Sequence, residues 1–510
     1  MAPSRLLWGM IVVTGLLRIG WGAALGLGMD EAYHALFRVH PDWSYFDHPP
    51  MLALVESLGV GLAGGWVVPI TIRLGFILLF AGSTWLMAHL SARFFGPWAG
   101  LLAAFALNVS AYHTAAAGAF ALPDGPLLFF WLLTLDRIAA SLERPDDRRR
   151  WLGVGLAWGG AMLSKYHAVF LPAGVVLFAL AEPTARHLLR RAGPYLAVVV
   201  GLTLFSPVIA WNAQHAWVSF AFQLGRAVSG AETGHAVRGL VFQPTALLAA
   251  IGGQAAYLFP WIWLMLVAIL VVQLGKFRHG ATVAERFLVC QAVIPLTVFT
   301  GVACVRPVLP HWTLVGYLSI FPLLGRHWEA RWRANPTQTR RRLTILAAIP
   351  VVVMAMMVAQ DRTGWMNRLG LPAKLDPTAD LYGWDQIADE IERRRLLDPP
   401  GTFLFTGTWY ASGQMAFATR YLGEPVLCYN QRDPHNFAVW SRPDDWLGRD
   451  GLLVSVGDIK HEPACFARYF ERIEPPVQFT VTRNGREVRR ARLFRCVRQV
   501  AAFPFGFGSN

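Results

Sequence analysis

The chain has 510 residues, of which 55% are hydrophobic and only 15% are charged, and its mean hydropathy is +0.39. This composition is too apolar for a soluble globular protein and predicts a membrane protein. The formal net charge of +14 would suit nucleic acid, but much of it lies in short loops between apolar runs, where Lys and Arg set membrane orientation. We therefore exclude a nucleic-acid partner.

Apolar runs of about 20 residues, the length that crosses a bilayer, recur up to residue 360. We predict about eleven transmembrane helices, at approximately 6–28, 68–90, 97–117, 124–141, 151–164, 166–181, 193–211, 244–274, 287–304, 311–325 and 343–360. The first run is expected to be retained as a helix, because it is long and lacks an A-x-A type cleavage site. Residues 51–65 contain Glu56 and several glycines, which predicts a helix in the membrane interface.

The basic residues of the loops predict the orientation. With Arg5 in the cytoplasm and sides alternating, the inner loops hold 18 Lys and Arg residues and the outer loops hold 5. Reversing the orientation would violate the positive-inside rule at almost every loop. The N-terminus is therefore predicted to be cytoplasmic, and the chain after the last span is predicted to lie outside.

Residues 361–510 are charged and rich in turns, and we predict a separate soluble α/β domain there. The segment LYGWDQIADEIERRRLL predicts an amphipathic helix. Strands are predicted in TFLFTGTWY, PVLCYN, GLLVSVGD and VQFTVTRNGREVRRARLFRCV, the last of these a hairpin that turns at Asn484-Gly485. The predicted fold is thus a polytopic α-helical membrane domain, residues 1–360, followed by this domain. Cys428, Cys465 and Cys496 could include a disulfide if the domain is extracytoplasmic.

Several polar residues are predicted to lie together on the outer side. They are Asp30, Glu31, Asp47 and His48 in the first outer loop, Asp124 at the start of the fourth span, Lys165 and Tyr166 between the fifth and sixth, and His311 and Trp312 at the start of the tenth. Alone, Asp124 would be explained as a helix cap, Lys165 as a side chain that extends to the headgroups, and His311-Trp312 as an interface anchor. Their convergence on one face favours a reaction site.

Two arginines fall inside predicted spans, where a charge is costly unless it is paired or faces water. Arg18 lies deep in the first span, and we expect it to form an internal salt bridge. Arg73 lies near the outer end of the second span. It either extends to the headgroups or belongs to the outer site.

Carboxylates, a lysine and histidines beside lipid suit an amphiphilic substrate with an anionic head, such as a sugar on polyprenyl phosphate. Lys165, His48 and Arg73 would neutralise the phosphate as charge develops on it. Asp30 would act as general base towards the attacking hydroxyl, with inversion at the anomeric carbon. The remaining predicted site residues are Glu31 and Asp124, in the catalytic group, and Asp47, Tyr166, His311 and Trp312, in the substrate-binding group.

A divalent cation would assist this chemistry but is not required, because the leaving phosphate is already stable. The residues that could hold one are Asp30, Glu31, Asp47, Asp124 and His311, with Asp30 and Asp124 as the first candidates. No spacing in the chain is a metal-binding motif. We therefore predict no certain cofactor.

Four segments together resemble the bacterial members of glycosyltransferase family 39, namely MDEAYH…YFDHPPML, ALPDGPLLFFWLLTL, GGAMLSKYHAVFLP and PHWTLVGYL. That family is related to protein O-mannosyltransferases and to the aminoarabinose transferase of lipid A, within the GT-C superfamily. The resemblance covers approximately residues 5–360. It implies an enzyme of the bacterial inner membrane that takes a sugar, a hexose or a pentose, from a polyprenyl phosphate on the periplasmic face.

The resemblance also implies roles for single residues. Asp30 corresponds to the catalytic carboxylate of the family, and Asp124 to a second functional acid. Where the aminoarabinose transferase has a lysine before its Pro-Pro pair, this chain has His48, which leaves the phosphate contact at this position and the identity of the sugar open. The acceptor is also open between lipid A, lipopolysaccharide core, another envelope glycan and a protein hydroxyl.

A lipid or glycolipid transporter, or flippase, is the alternative function, since many spans with intramembrane charges also mark transport pathways. The sequence shows no inverted repeat, and its polar residues cluster at one interface rather than at the midplane. Both features favour the transferase.

Overall fold

The computed structural model describes residues 2–228, 241–371, 375–398, 400–457 and 463–505. The chain divides into two compact units. The first comprises Met1–Gly22 and His48–Val352, and the second comprises Ala23–Asp47 and Val353–Asn510. The segment Ala23–Asp47 therefore belongs to the unit that contains the C-terminal residues, although the predicted domain boundary at residue 360 assigns it to the membrane domain.

Helices dominate the described chain. In order they are α1 (Pro3–Ala24), α2 (Met29–Val39), α3 (Met51–Leu62), α4 (Pro69–Phe95), α5 (Pro97–Asn108), α6 (Ala111–Ala119), α7 (Asp124–Glu143), α8 (Arg148–Ser164), α9 (Phe170–Ala181), α10 (Ala192–Gln214), α11 (Val218–Val228), α12 (Pro244–Leu258), α13 (Pro260–Lys276), α14 (Val283–Ala303), α15 (Leu314–Tyr317), α16 (Phe321–Ala334), α17 (Pro336–Thr363), α18 (Trp365–Arg368), α19 (Trp384–Arg393), α20 (Trp409–Ala418) and α21 (Phe437–Trp440). The strands are β1 (Phe403–Thr406), β2 (Val426–Cys428), β3 (Gly451–Val456), β4 (Phe470–Ile473), β5 (Val477–Arg483) and β6 (Arg486–Gln499).

Six of the described helices are long and apolar enough to cross a membrane: α1, α4, α7, α10, α14 and α17. The bent pair α12 and α13 brings the number to seven if it forms one span. These helices and the C-terminal α/β domain confirm the predicted fold class of a multi-pass membrane protein. The predicted number of about eleven spans is not confirmed.

Three predicted spans are interrupted in the structure. The run 244–274 forms α12 and α13, which meet at 110°, because Phe259 has φ 64° and Pro260 cannot continue the hydrogen-bond ladder. The run 97–117 is divided between α5 and α6, and the run 311–325 between a 3₁₀ helix (Pro310–Thr313), α15 and α16. Hydropathy detects the apolar run but not a change of direction within it.

Capping side chains begin several helices of the first unit. Asp147 accepts a hydrogen bond from the backbone N–H of Arg149 at 3.0 Å at the start of α8. At the start of α14, Thr282 and Glu285 cap each other reciprocally, with Thr282 N–H donating to Glu285 Oε2 at 2.7 Å. These bonds satisfy N–H groups that the first helical turn leaves without a partner.

The core of the first unit is formed by large apolar side chains, among them the fully buried Trp131 and Trp151. Small residues let helices approach closely, as is usual between membrane helices. A Cβ at Gly155 in α8 would lie 2.6 Å from the carbonyl oxygen of Ala197 in α10. The two helices could not keep this distance with any larger residue.

Arg18 is buried within the first unit, and the expected salt bridge is wrong for the residues that the structure describes. Its guanidinium donates to the carbonyl of Thr14 at 3.0 Å and to Asn108 Oδ1 at 3.1 Å, and it lies 4.2 Å from the ring centroid of Phe80. Neutral dipoles and an aromatic face therefore take the place of a carboxylate.

The second unit contains a six-stranded sheet in the order β2-β1-β3-β6-β4, with β5 also paired to β6. β1 is parallel to β2 and β3, and β6 is antiparallel to β3, β4 and β5. The hairpin of β5 and β6 confirms the predicted turn, since Asn484 and Gly485 both have positive φ. The predicted strand TFLFTGTWY is shorter than expected, because Trp409 begins α20.

Alternation along the strands gives the sheet two apolar faces. Leu404 and Leu452 face a cluster that includes α19 and α20, whereas Phe403 and Phe405 belong to an aromatic cluster on the other face. All five cysteines of the chain are free thiols; in this unit Cys428 and Cys496 are buried and Cys465 is exposed. The disulfide that the sequence left open does not form.

Candidate functional site

A buried ion pair is the central feature of the first unit. Lys165 Nζ donates to both carboxylate oxygens of Asp124, at 3.0 and 2.9 Å. Asp124 is 8% exposed and Lys165 is 5% exposed. Because a charge withdrawn from water is costly even when paired, such a pair among apolar helices indicates a function.

The side chains of Asp124 and Lys165 are positioned by the ends of two helices. Asp124 is the first residue of α7, and Lys165 has extended backbone immediately after α8, before a 3₁₀ helix at Tyr166–Val169. The indole of Trp158 donates to the Ala168 carbonyl at 2.9 Å and ties that 3₁₀ helix to α8. The Lys165 backbone is therefore held on both sides.

Imidazoles surround the pair. His113, His167 and His311 lie within electrostatic range of the Asp124 carboxylate. A small cavity of about 10 Å³, close to the space that one water molecule needs, is lined by Asp124, His113, His311 and Tyr112, among apolar residues. The ring of Tyr112 stacks on that of His311 at 5.7 Å between centroids. The arrangement offers several nitrogen donors to an anion.

Aromatic rings form the wall beside this cluster. His167 packs against Phe299 and Trp312, with ring centroids 4.9 and 6.0 Å apart. Trp312 is 9% exposed and belongs to a small apolar cluster. Tyr166 contacts Phe220 edge-on at 5.5 Å. Trp312 and Tyr166 thus support the site by packing.

The predicted cations His48 and Arg73 also belong to the first unit. His48 is partly buried and lies within electrostatic range of His167. Arg73 is fully buried, donates to the Gly22 carbonyl at 2.9 Å and lies 4.9 Å from the ring centroid of Phe120. Arg73 therefore does not extend towards the lipid headgroups.

Asp30 and Glu31 lie in the first turn of α2, in the second unit. Asp30 is exposed, whereas Glu31 is 3% exposed and its Oε2 accepts a hydrogen bond from the Gly28 N–H at 2.9 Å. Glu31 thus caps the helix that carries Asp30. A helix N-terminus also favours the negative charge of a carboxylate in its first turn.

Asp47 is a buried carboxylate of the second unit. Its Oδ2 lies 3.5 Å from His435 Nδ1 and 3.9 Å from His34 Nε2, and its Oδ1 accepts a hydrogen bond from the Tyr33 hydroxyl at 3.4 Å. Asp433 lies 3.2 Å from the other ring nitrogen of His435. Asp47 therefore joins α2 to the loop before α21.

This network shifts two pKa values. Burial and the charge of Asp47 raise the pKa of Tyr33 well above its usual range, so the phenol stays a donor. Burial opposes a charged imidazole at His435, but hydrogen bonds to Asp433 and Asp47 outweigh it and raise the pKa of His435. A protonated His435 between two carboxylates is favoured.

Backbone contacts fix α2 further. The Phe46 N–H donates to Asn436 Oδ1 at 2.7 Å, and the Asn436 N–H donates to the Tyr33 hydroxyl at 3.1 Å. A Cβ at Gly413 in α20 would lie 2.7 Å from the Tyr33 Cα. The segment that carries Asp30 is thus packed tightly onto α20.

The predicted site residues are divided between the units. Asp124, Lys165, Tyr166, His48, Arg73, His311 and Trp312 belong to the first, and Asp30, Glu31 and Asp47 to the second. Sequence reasoning missed Tyr112, His113 and His167. Polar side chains inside apolar runs, as in AYHTAAAGAF and SKYHAVF, were the signal that could have found the two histidines.

Asp124 does not suit the divalent cation that the sequence left open. Both of its oxygens accept hydrogen bonds from Lys165, so the carboxylate edge that a divalent cation would take is already used. Asp30, the other candidate ligand, is an exposed residue of the second unit. No step of the chemistry below passes through a cation.

The geometry defines a multi-pass membrane protein with a buried ion pair and several histidines around it. Comparison with solved structures identifies a protein of similar fold. The chain is similar to ArnT from Cupriavidus metallidurans, in the crystal structure bound to undecaprenyl phosphate (TM-score 0.60, 16% identity, 95% of this chain and 97% of ArnT covered). The apo structure of ArnT gives a TM-score of 0.58 at 15% identity, over 97% of this chain and 98% of ArnT.

Sequence comparison agrees. The sequence model of the dolichyl-phosphate-mannose-protein mannosyltransferase family matches residues 47–211. The lipid A galacturonosyltransferase RgtD of Rhizobium johnstonii is 29% identical over 191 residues, 37% of this chain and 38% of RgtD. The match thus spans well under half the length of RgtD. The predicted resemblance to GT-C glycosyltransferases of the family 39 type is confirmed.

Proposed function

We propose that the protein is a glycosyltransferase that moves a sugar from a polyprenyl phosphate to an envelope acceptor. The buried pair of Asp124 and Lys165, with imidazoles around it, carries the proposal. The paired ammonium and the imidazoles supply N–H donors where water is scarce. That chemistry suits the phosphate of a substrate whose tail stays in the bilayer.

Lys165 is the proposed phosphate ligand, and Asp124 is its positioning residue. An ammonium has three N–H donors, and two of them are directed at the carboxylate. We assign the third to the substrate phosphate, and we propose the imidazoles of His48, His167 and His311 as further ligands of that phosphate. Donors fixed before the reaction stabilise charge that develops in the transition state.

Asp30 is the proposed general base. The acceptor hydroxyl gives its proton to the Asp30 carboxylate as its oxygen attacks the anomeric carbon. The bond between that carbon and the phosphate oxygen breaks, and the electron pair leaves with the phosphate. The phosphodiester thereby becomes a monoester with one more negative charge, and the configuration at carbon inverts.

The relatives support the classes of donor and acceptor. ArnT was crystallised with undecaprenyl phosphate, which favours a polyprenyl-phosphate donor for this chain. The name of RgtD favours lipid A, or another envelope glycolipid, as acceptor. We place the reaction at the periplasmic face of the bacterial inner membrane, with the N-terminus in the cytoplasm and residues 361–510 in the periplasm.

The test uses the purified full-length protein with undecaprenyl phosphate linked to galacturonic acid, aminoarabinose or mannose, and lipid A as acceptor. We expect release of undecaprenyl phosphate with one of these donors. Asp30→Asn should lower turnover by a factor of about 100 or more without loss of expression. Asp42→Asn, which changes another exposed carboxylate of the same segment, is the matched control.

Two results would contradict the proposal. Normal turnover in Asp30→Asn would remove Asp30 as the base. Movement of the labelled donor across vesicles that survives Asp30→Asn and Asp124→Asn, with no sugar transfer, would make the protein a flippase.

A further inference from the structure

A second cavity of the first unit lies between α13, α14 and α16 and opens to the surface. Its volume is about 380 Å³, within the range of small-molecule sites. Met265, Ile269 and Leu323 make one part of its wall apolar, and Gln273, Glu285 and Arg326 make another part polar. Among the residues that the structure describes, the lining of this cavity includes none of those proposed above for sugar transfer.

Glu285 organises the polar part. The carboxylate is 6% exposed, and its Oε1 accepts hydrogen bonds from Gln273 Nε2 at 3.1 Å and Arg326 Nη1 at 2.7 Å. Its Oε2 accepts one from the Thr282 backbone N–H at 2.7 Å. The side chains of Gln273 and Arg326 are therefore held in fixed positions at the cavity.

Gln273 leaves one polar atom for a ligand. The side chain is 9% exposed, and its Oε1 has no hydrogen-bond partner among the residues that the structure describes. Burial of an acceptor without a partner is unfavourable. The cavity therefore favours a molecule that brings an O–H or N–H donor to this oxygen.

The mouth of the cavity is cationic. Lys276, in the last turn of α13, is exposed and lines it, and the side chain of Arg326 is 50% exposed. Glu285 balances one of these two charges, so one positive charge remains. Both cations belong to loops predicted to be cytoplasmic, where the leaflet is rich in anionic lipids.

We propose that this cavity binds an anionic glycerophospholipid of the cytoplasmic leaflet, with its phosphate between Lys276 and Arg326. A headgroup hydroxyl donates to Gln273 Oε1, and an acyl chain follows the apolar wall of Met265, Ile269 and Leu323. Phosphatidylglycerol has all three parts. Phosphatidylcholine has the phosphate and the chains but no headgroup donor, which makes it the discriminating comparison.

The experiment is native mass spectrometry of the full-length protein in detergent, with phosphatidylglycerol or phosphatidylcholine added at equal ratios. We expect the protein to retain one more phosphatidylglycerol than phosphatidylcholine. Lys276→Gln should weaken that retention about fivefold, the factor typical of one cation near anionic lipid. Arg278→Gln, which removes a neighbouring exposed cation that does not line the cavity, should leave retention unchanged.

A second variant tests the headgroup contact. Gln273→Met removes the buried acceptor at similar volume and should reduce retention of phosphatidylglycerol to the level of phosphatidylcholine. Equal retention of the two lipids by the unchanged protein would overturn the proposal, as would equal effects of Lys276→Gln and Arg278→Gln. Displacement of the lipid by glycerol 3-phosphate would overturn it in favour of a site for a free phosphate. These results do not depend on sugar transfer.

Discussion

Lys165 Nζ lies 3.0 and 2.9 Å from the two carboxylate oxygens of Asp124, so one buried ammonium occupies a whole carboxylate edge. Asp124 begins α7 and Lys165 follows the end of α8. The pair therefore joins neighbouring ends of two helices while it holds an N–H donor in place. The proposed functional role therefore falls on a bond that also has a structural role, and a cycle of variants separates the two.

The cycle uses Asp124→Asn, Lys165→Met and the double variant. Each single change leaves one buried charge without its partner and should cost about 3–5 kcal/mol of stability. The double variant removes both charges and should unfold at a higher temperature than either single variant, yet stay inactive. Thermal unfolding in detergent, followed by Trp fluorescence, measures this. If the stability loss of the double variant equals the sum of the two single losses, Asp124 and Lys165 do not stabilise each other as a pair.

His167 should contribute to donor binding, because it lies within electrostatic range of both Asp124 and His48. We expect His167→Gln to raise the KM for the polyprenyl-phosphate donor about tenfold, the effect of losing one hydrogen bond to a charged group. His187→Gln changes an exposed histidine and serves as the control. An unchanged KM in His167→Gln would place that ring outside the donor site.

Gly413→Ala should loosen α2, since the added Cβ would meet the Tyr33 backbone at 2.7 Å. Overpacking of this kind costs about 1–3 kcal/mol. Hydrogen exchange of residues 29–39 should become faster, by about tenfold or more. Gly275→Ala, where nothing lies within 4 Å of the added Cβ, should leave exchange of that segment unchanged. Equal exchange in the two variants would show that α20 does not hold α2.

Protonation of His435 should make the packing of α2 depend on pH. The pKa of His435 is raised in the folded state, so the stabilisation is complete below the unfolded value of about 6.5 and is lost as pH rises through the folded value. Hydrogen exchange of residues 29–39, corrected for its intrinsic pH dependence, should therefore report a less stable segment at pH 8 than at pH 6. His435→Gln should remove the difference. A segment that becomes more stable from pH 6 to pH 8 would contradict this sign.

Cys465 offers a direct test of the predicted orientation. It is exposed, whereas Cys290, Cys428 and Cys496 are buried. In spheroplasts, a membrane-impermeant maleimide should label the protein without lysis, and Cys465→Ser should abolish most of that labelling. Labelling of the unchanged protein only after lysis would place the C-terminal residues in the cytoplasm.

The sequence by itself determined the local features of this protein. Apolar runs predicted helices such as α4, α7 and α14, because a chain in lipid must satisfy its backbone groups within each helix. Asn484-Gly485 predicted the hairpin of β5 and β6, because a two-residue turn needs positive φ at both positions. Asp30, Asp124, Lys165 and the motif of the first loop could be recognised for the same reason, because each is defined by residues that are neighbours in the sequence.

Only the tertiary structure decided which of these residues meet. Lys165 reaches a carboxylate 41 positions earlier, and the Tyr33 hydroxyl accepts a hydrogen bond from Asn436, 403 positions later. Arg18 is held by an amide and a ring rather than by the expected carboxylate. Buried polar groups take whichever partner the packed helices bring within about 3 Å, and hydropathy along the chain carries no information about that distance.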